Sequence, residues 1–273
     1  MIRVCVAGAT GWVGRNLIPA IVASPDLQLV GAVARSARGV RVSEAIAAPD
    51  LEPVLHGLRI DGSVAEAFTR PTDVLVDYTS PDAVKGNVLE AISRTISCVI
   101  GTSGLSDADY RLIDTAAGDA GAGVLAAGNF AISAVLLEHF AATAARYLSS
   151  WEVIDYADAG KSDAPSGTVR QLTNRLAQVR APNVALPVDQ TLGSPEARGL
   201  SLNGMQVHSI RLPGFVIGAE VIFGQPSERL SIRYDAGSGA EPYVAGTLLG
   251  IRAVRRLVGL TRGLDRLLGL AGQ

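Results

Sequence analysis

The sequence predicts an α/β protein: a parallel sheet in the first half, then a second α+β domain built on a mixed or antiparallel sheet. Three observations predict it. Short apolar runs alternate with longer segments of helical period through the first half, the pattern of βαβ units. A glycine-rich loop, Gly8-Ala9-Thr10-Gly11-Trp12-Val13-Gly14, follows the first apolar run and opens a helical segment. After Trp151 the apolar residues switch to the two-residue period of strands with one wet face.

Taken in order, residues 2–7 read as the first strand, 11–23 as a helix and 27–34 as the second strand. Residues 38–58 show no regular period. Two buried strands follow at 74–78 and 98–100, with a helix over 81–93 between them, then a strand at 123–127 and a long helix over 131–147. In the second half, strands are predicted at 152–157, 206–212, 216–223 and 229–234, with a helix over 166–180 and a Pro/Gly-rich loop after it. Residues 242–257 place Val244, Leu248, Ile251 and Val254 on one helical face, so the chain is expected to close with an amphipathic helix.

Composition narrows the function. With 273 residues, 48% of them apolar, the chain can bury a large core. A net charge of −2 gives no reason to expect a nucleic-acid or anionic-membrane partner. Cys5 and Cys98 both lie in strand-like apolar runs, so each is expected to be a buried thiol in a reducing compartment. His56, His139 and His208 are far apart and lack zinc-ligand spacing, so no metal is expected. The short run before the glycine loop is no secretory signal, and no window is long enough to span a membrane. A cytoplasmic protein is expected. Trp151 and Trp12 read as core aromatics, with a second option for Trp12 as a cover over a bound pyrophosphate.

Strand, glycine turn and helix in succession are what a dinucleotide site requires, and they make the first domain Rossmann-like. Glycines allow the tight turn and close backbone approach, and the N–H groups of the helix start face the pyrophosphate. Gly8, Thr10, Gly11, Trp12 and Val13 are the candidate contacts. The second strand ends at Ala34, where an NAD site usually has a carboxylate for the ribose, and Arg35-Ser36-Ala37-Arg38 follows. Without that carboxylate, and with guanidinium groups present, a 2′-phosphate is favoured. Arg35, Ser36 and Arg38 therefore point to NADP(H) as the preferred cofactor and NAD(H) as the second choice.

Further motifs carry a resemblance. Asp77-Tyr78-Thr79-Ser80-Pro81, Gly101-Thr102-Ser103-Gly104, Ala127-Gly128-Asn129-Phe130 and above all Lys161-Ser162-Asp163-Ala164-Pro165-Ser166-Gly167-Thr168 resemble the dihydrodipicolinate reductase family, in the family's order. His208-Ser209-Ile210-Arg211 and Gly263-Leu264-Asp265 echo it as well. The resemblance implies a nicotinamide-dependent reduction of a cyclic imine-type dicarboxylate in lysine biosynthesis. It implies that Tyr78, Thr79, Gly101, Thr102, Ser103, Ala127, Asn129 and Phe130 serve the cofactor. It implies that Lys161, Ser166, Gly167 and Thr168 hold a substrate carboxylate. It also implies a homotetramer built through the C-terminal sheet, and a last helix returning to the nucleotide domain. The expected division is 1–127 with 241–273 for the nucleotide and 128–240 for substrate and oligomerisation. The residues support the anion site independently, because Lys161 supplies charge and Pro165–Thr168 reads as a helix start, though plain capping by Ser166 and Thr168 would look the same.

The sequence departs from the family where a proton donor belongs. Two adjacent histidines usually precede the lysine motif, and here Ala157 and Asp158 stand in their place. Where the family often has Gly-Glu-His, this chain has Gly218-Ala219-Glu220. A positioned general acid contributes about 10²- to 10⁴-fold. Lys161, Asp158 and Tyr156 are the candidates to replace it. Lys161 leads, because desolvation can bring a lysine toward the working pH. An ordinary Asp158 would be ionised at neutral pH, suited to pairing with a substrate ammonium or simply solvated. Three functions follow: a reductase with an altered substrate or proton route, the ordinary lysine-pathway enzyme, or a catalytically silent NADPH-binding protein.

Overall fold

In the computed structural model, which describes residues 1–270, the chain divides into two compact units. The first comprises Met1–Ile132 together with the chain from Ala240 onward; the second is Ser133–Gly239. The last three residues of the predicted 241–273 stretch lie outside the described residues.

The first unit is built on a six-stranded parallel sheet. Its strands are β1 (Ile2–Ala7), β2 (Leu27–Val33), β3 (Val74–Asp77), β4 (Ser97–Ile100), β5 (Gly123–Ala126) and, late in the chain, β11 (Gly259–Arg262). Their order in space is β11-β5-β4-β3-β1-β2. Val4, Cys5, Val6 and Ala7 are all fully buried, as expected of a central strand covered on both faces. Burial pushes the Cys5 thiol up to about 12 and the Cys98 thiol higher still, so both are inert structural groups. Because β1 lies between β2 and β3, the connections leave it in opposite directions, and the crevice at its carboxyl end is where ligands of such sheets bind.

The connecting helices include α1 (Trp12–Val22), α2 (Pro81–Ile92) and α3 (Asp107–Ala120). The sequence reading missed α3, although a reciprocal capping box between Ser106 and Asp109 starts it and Gly121, in the left-handed region at φ 64°, ends it. Residues 38–58 form short helical turns, Val42–Ala45, Pro49–Leu51 and Glu52–Leu55, and one bridge, Arg41 to Arg59. The expectation that the chain closes with a helix is corrected: after α6 (Glu241–Val254), β11 adds to the sheet edge, pairing Gly259–Arg262 with Gly123–Ala126. A four-residue edge strand has too little pattern of its own to be read without its neighbour.

The second unit carries β6 (Trp151–Ala157), β7 (Leu200–Leu202), β8 (Met205–Arg211), β9 (Ile217–Gln225) and β10 (Glu228–Ala236), in the order β10-β9-β6-β8-β7. The sheet is mixed: β6 and β8 run parallel and the other pairs antiparallel. Helices α4 (Ile132–Ala145) and α5 (Gly167–Val179) cover one face, packing Leu137, Ala141, Leu172 and Leu176 on Trp151, Val153, Val221 and Phe223. Alternation along β6 therefore sends Asp155 to the helix-covered face and Tyr156 to the opposite one.

Candidate functional site

In the first unit the candidate residues converge on the carboxyl edge of the sheet. Gly8 follows β1 with φ +84°, and a Cβ there would sit 2.2 Å from the Tyr78 carbonyl oxygen. At Gly14, in the first turn of α1, a Cβ would sit 2.3 Å from the Gly8 carbonyl. Only glycine permits this approach. The N–H groups of Trp12, Val13 and Gly14 start α1 and have no helical acceptor before them, so they face outward from the turn. This cradle of close-packed backbone and first-turn amides fits a pyrophosphate.

Tyr78 organises the neighbouring loops. Its hydroxyl shares a 2.7 Å hydrogen bond with Thr247 Oγ1 of α6, its ring lies against Gly101, and it meets Phe130 edge-on at 6.1 Å. Burial raises its pKa, so the phenol stays neutral. Thr79 and Thr102 turn their hydroxyls inward: both donate to Asp77 Oδ1, at 2.7 and 2.8 Å, and Asn87 donates to Oδ2 at 2.8 Å. Their side chains thus shape the loops, and the Thr79 amide adds a third bond to Asp77 Oδ1 at 3.0 Å. Asn129 Oδ1 accepts the Ala131 amide at 2.8 Å, fixing the turn after β5 in which Ala127 is half-buried and Phe130 fully buried. Ser103 is exposed.

Trp12 is not a core residue. It is 54% exposed and touches the Tyr243 ring edge-on at 5.5 Å, which leaves it able to cover a ligand on the glycine turn. Arg35 and Ser36 are exposed on a short turn directly after β2. Arg38, grouped with them in the sequence, pairs with Glu66 at 3.0 Å. That pair is largely in solvent, so it is weak and open to competition by a phosphate.

In the second unit the lysine motif lies between β6 and α5. Ser166 caps α5 in the extended conformation, its hydroxyl accepting the Val169 amide at 3.3 Å. The Gly167 and Thr168 amides, in the first turn, have no helical acceptor. Lys161 Nζ lies 2.6 Å from Asp163 Oδ1, and that ammonium holds the Asp163 carboxyl below the usual carboxylate range. Asp158 is exposed, and its Oδ1 accepts the Gly160 amide at 2.9 Å, closing the turn that leads into Lys161. Ala157 is fully buried.

Tyr156 is not brought to Lys161. On the other sheet face its hydroxyl donates to Glu220 Oε2 at 2.8 Å, and the Arg233 guanidinium stacks on its ring at 4.4 Å. Burial, then the Glu220 bond, raise its pKa.

Two residues that the sequence did not single out organise this half. Asp155 is fully buried and accepts Ser166 N at 2.8 Å, Ser166 Oγ at 2.7 Å and Arg211 Nη2 at 2.7 Å. Arg211 Nη2 also donates to the Asp163 carbonyl at 2.7 Å. An acid at a core-facing position of a mainly apolar strand was the available signal: burial demands a partner, and β8 brings Arg211 beside Ala157.

Comparison with known proteins follows the same two-part division. Residues 2–130 match the family described as dihydrodipicolinate reductase, N-terminus, and residues 133–268 the one described as dihydrodipicolinate reductase, C-terminus. The chain is 39% identical over 279 residues to a 4-hydroxy-tetrahydrodipicolinate reductase of Trichormus variabilis, covering 98% of each chain. It is 36% identical over 269 residues to the enzyme of that name from Desulfitobacterium hafniense, again covering 98% of each. Among solved structures, a dipicolinate-bound dihydrodipicolinate reductase from Paenisporosarcina sp. TG-14 superposes with a TM-score of 0.85 at 26% identity, over 97% of this chain and 99% of that one. An amine dehydrogenase from Mycobacterium smegmatis shares the fold, with a TM-score of 0.63 at 13% identity over 97% of this chain and 95% of that one.

Proposed function

Because the chain belongs to the dihydrodipicolinate reductase family, whose members are NAD(P)H-dependent oxidoreductases, we propose that it reduces a cyclic imine or enamine dicarboxylate of the 4-hydroxy-tetrahydrodipicolinate kind in lysine biosynthesis. The observation that carries this reading is the Lys161–Thr168 segment: an ammonium and two first-turn amides on one short stretch, fixed by buried hydrogen bonds. Such a set suits a carboxylate.

The cofactor is assigned to the glycine turn. Gly8, Thr10, Gly11, Trp12 and Val13 take the pyrophosphate, and Tyr78, Thr79, Gly101–Ser103 and Ala127, Asn129 and Phe130 line the path of the nicotinamide. Arg35 and Ser36, with Arg38 once it leaves Glu66, take a 2′-phosphate, which makes NADPH the preferred donor. When bound, the reduced nicotinamide supplies the hydride. The protein's part is to hold the substrate carboxylate at Lys161, Ser166, Gly167 and Thr168 and to deliver a proton. Lys161 takes that second role as the cationic donor of the segment, while Asp158 stays a turn-former.

A second reading, an altered substrate, rests on Ala157. A buried methyl stands where the family usually has an imidazole, which changes both the proton source and the space. Purified protein with NADPH and 4-hydroxy-tetrahydrodipicolinate decides between the two. Turnover at about 1–10³ s⁻¹ supports the lysine-pathway substrate and ends the altered-substrate reading. Turnover only with other cyclic imino acids supports it. NADPH binding without oxidation across the panel would leave a silent nucleotide-binding protein.

The assembly belongs to the proposal too. The sheet face away from α4 and α5 carries Ile154, Ile210 and Ile222, half-buried and diagonal to one another among Glu152, His208 and Glu220, and is assigned to contact with further copies in a homotetramer. Light scattering after gel filtration tests it. Among the described residues no helix is long and apolar enough to cross a membrane; a cytoplasmic location is proposed from the biosynthetic role.

A further inference from the structure

We propose that Asp155 and Arg211 are positioning residues for the carboxylate site, a buried pair that holds both ends of the 161–167 segment so that Lys161 and the Gly167 and Thr168 amides converge on one anion. The inference rests on the reading of that segment as the carboxylate site.

The connections form an unbroken chain. Asp155 grips the cap residue of α5 with both oxygens, Oδ2 on Ser166 N and Oδ1 on Ser166 Oγ. Arg211 Nη2 bridges Asp155 Oδ2 and the Asp163 carbonyl, 2.7 Å from each. Asp163 in turn holds the Lys161 ammonium at 2.6 Å. The helix start and the ammonium are thus referred to one guanidinium. Arg211 Nη1 adds bonds to the Asp155 and Ile210 carbonyls, fixing the guanidinium to the two parallel strands rather than to the loop it steers.

A role in folding alone explains this less well. Arg211 Nε is buried and has no acceptor. A buried pair serving only stability is often replaceable by apolar residues, and an orphaned donor makes such a pair poorer still. Keeping the arginine makes sense where its planar fork has two separate acceptors to hold at a fixed spacing.

Arg211→Lys tests the proposal in the full-length protein. Lysine keeps the charge beside Asp155 but offers no rigid fork to span Asp155 and Asp163. Misplacing a binding group by about 1 Å costs up to about 10²-fold, so the dipicolinate Kd by calorimetry and the KM for 4-hydroxy-tetrahydrodipicolinate should each rise about tenfold. The KM for NADPH should stay within about twofold, because the nucleotide turn is not displaced, while kcat should fall as well, because Lys161, the proposed proton donor, moves with the segment. Arg211→Met should weaken dipicolinate further; if it fails to fold, the lysine variant still decides. An unchanged dipicolinate Kd in Arg211→Lys overturns the proposal, as does an equal loss in every parameter together with a lowered Tm. Lys161→Ala run alongside separates the two ideas. If it weakens dipicolinate while Arg211→Lys does not, only the positioning role falls. If neither does, the carboxylate site itself is wrong.

Discussion

Each unit seats a fully buried carboxylate at or near the end of a strand, and the two are wired differently. Asp77, ending β3, accepts only neutral donors: the Thr79 amide and hydroxyl, the Thr102 hydroxyl and the Asn87 amide. Asp155, two residues from the end of β6, accepts a backbone amide, a hydroxyl and a guanidinium. On the proposed assignment the first half presents mainly backbone to the cofactor, with Arg35 at its edge and Asp77 holding the loops in place. The second presents charge. Asp155, Arg211, Asp163 and Lys161 alternate in sign and cancel, so on the proposed assignment an incoming carboxylate would meet directed donors rather than a net positive field. It must also compete with Asp163 for the ammonium.

Stability breaks this comparison most sharply. Asp155→Asn leaves a buried guanidinium without its counter-charge and should cost about 3–5 kcal/mol. Asp77→Asn strands one or two neutral donors and should cost about 1–3 kcal/mol. Urea unfolding of both variants measures the difference. If Asp77→Asn proves the more damaging, the charged and neutral wiring do not differ in the way the geometry says.

Next in size is Lys161→Ala. Truncating one member of a charge pair typically costs about 2–5 kcal/mol, so kcat/KM for the carboxylate substrate should fall about 10²-fold or more. The KM for NADPH should hold, since Lys161 belongs to the carboxylate segment and not to the glycine turn. Arg35→Ala is its mirror image. Losing one charge-assisted contact of about 1.5 kcal/mol should raise the KM for NADPH about tenfold and leave that for NADH unchanged. Tyr156→Phe should leave kcat within about twofold, because the hydroxyl it removes is bound to Glu220 on the far sheet face. A large loss of kcat there would return Tyr156 to the site.

The same contrast explains what the sequence could reveal. The backbone-built half was legible, because Gly14 is required by contacts a few residues away, Gly8 takes a positive φ, and a strand–turn–helix order carries the signal. The Lys161–Thr168 segment was legible as a contiguous motif. Asp77 and Asp155 were not, since each is an acid in a largely apolar run whose partners, Thr79 apart, lie 10 to 56 positions away, where only folding introduces them. Arg38 and Arg35 look alike in the sequence and differ only through Glu66. Tyr156 and Asp155 are neighbours that a strand's alternation separates. Helix α3 hid behind a polar composition, its apolar stripe reduced to Tyr110, Ile113 and Ala117, although its capping box was in plain view.

The smallest expected effect separates charge that serves the fold from charge that serves the site. Asp73 accepts the Arg3 amide at 2.8 Å and its Nε and Nη2 at 3.0 and 2.8 Å, and the guanidinium lowers its carboxyl to about 2. Arg252 holds Asp26 at about 2 in the same way. Both acids have folded-state values below an unfolded value of about 3.9. Their stabilisation is therefore fully present above that value and lost as pH falls from about 4 toward 2. The arginines are about two-fifths exposed, so salt should erode the pairs as well. The stability gap between the parent and Asp73→Asn should be small at about pH 6, narrow at about 1 M salt, and close by about pH 2. A gap that survives at low pH would mean that the packing of Arg3 against β3, rather than its charge, is what joins the strands. Through all of this kcat/KM at neutral pH should not move, because neither pair touches the glycine turn or the 161–168 segment.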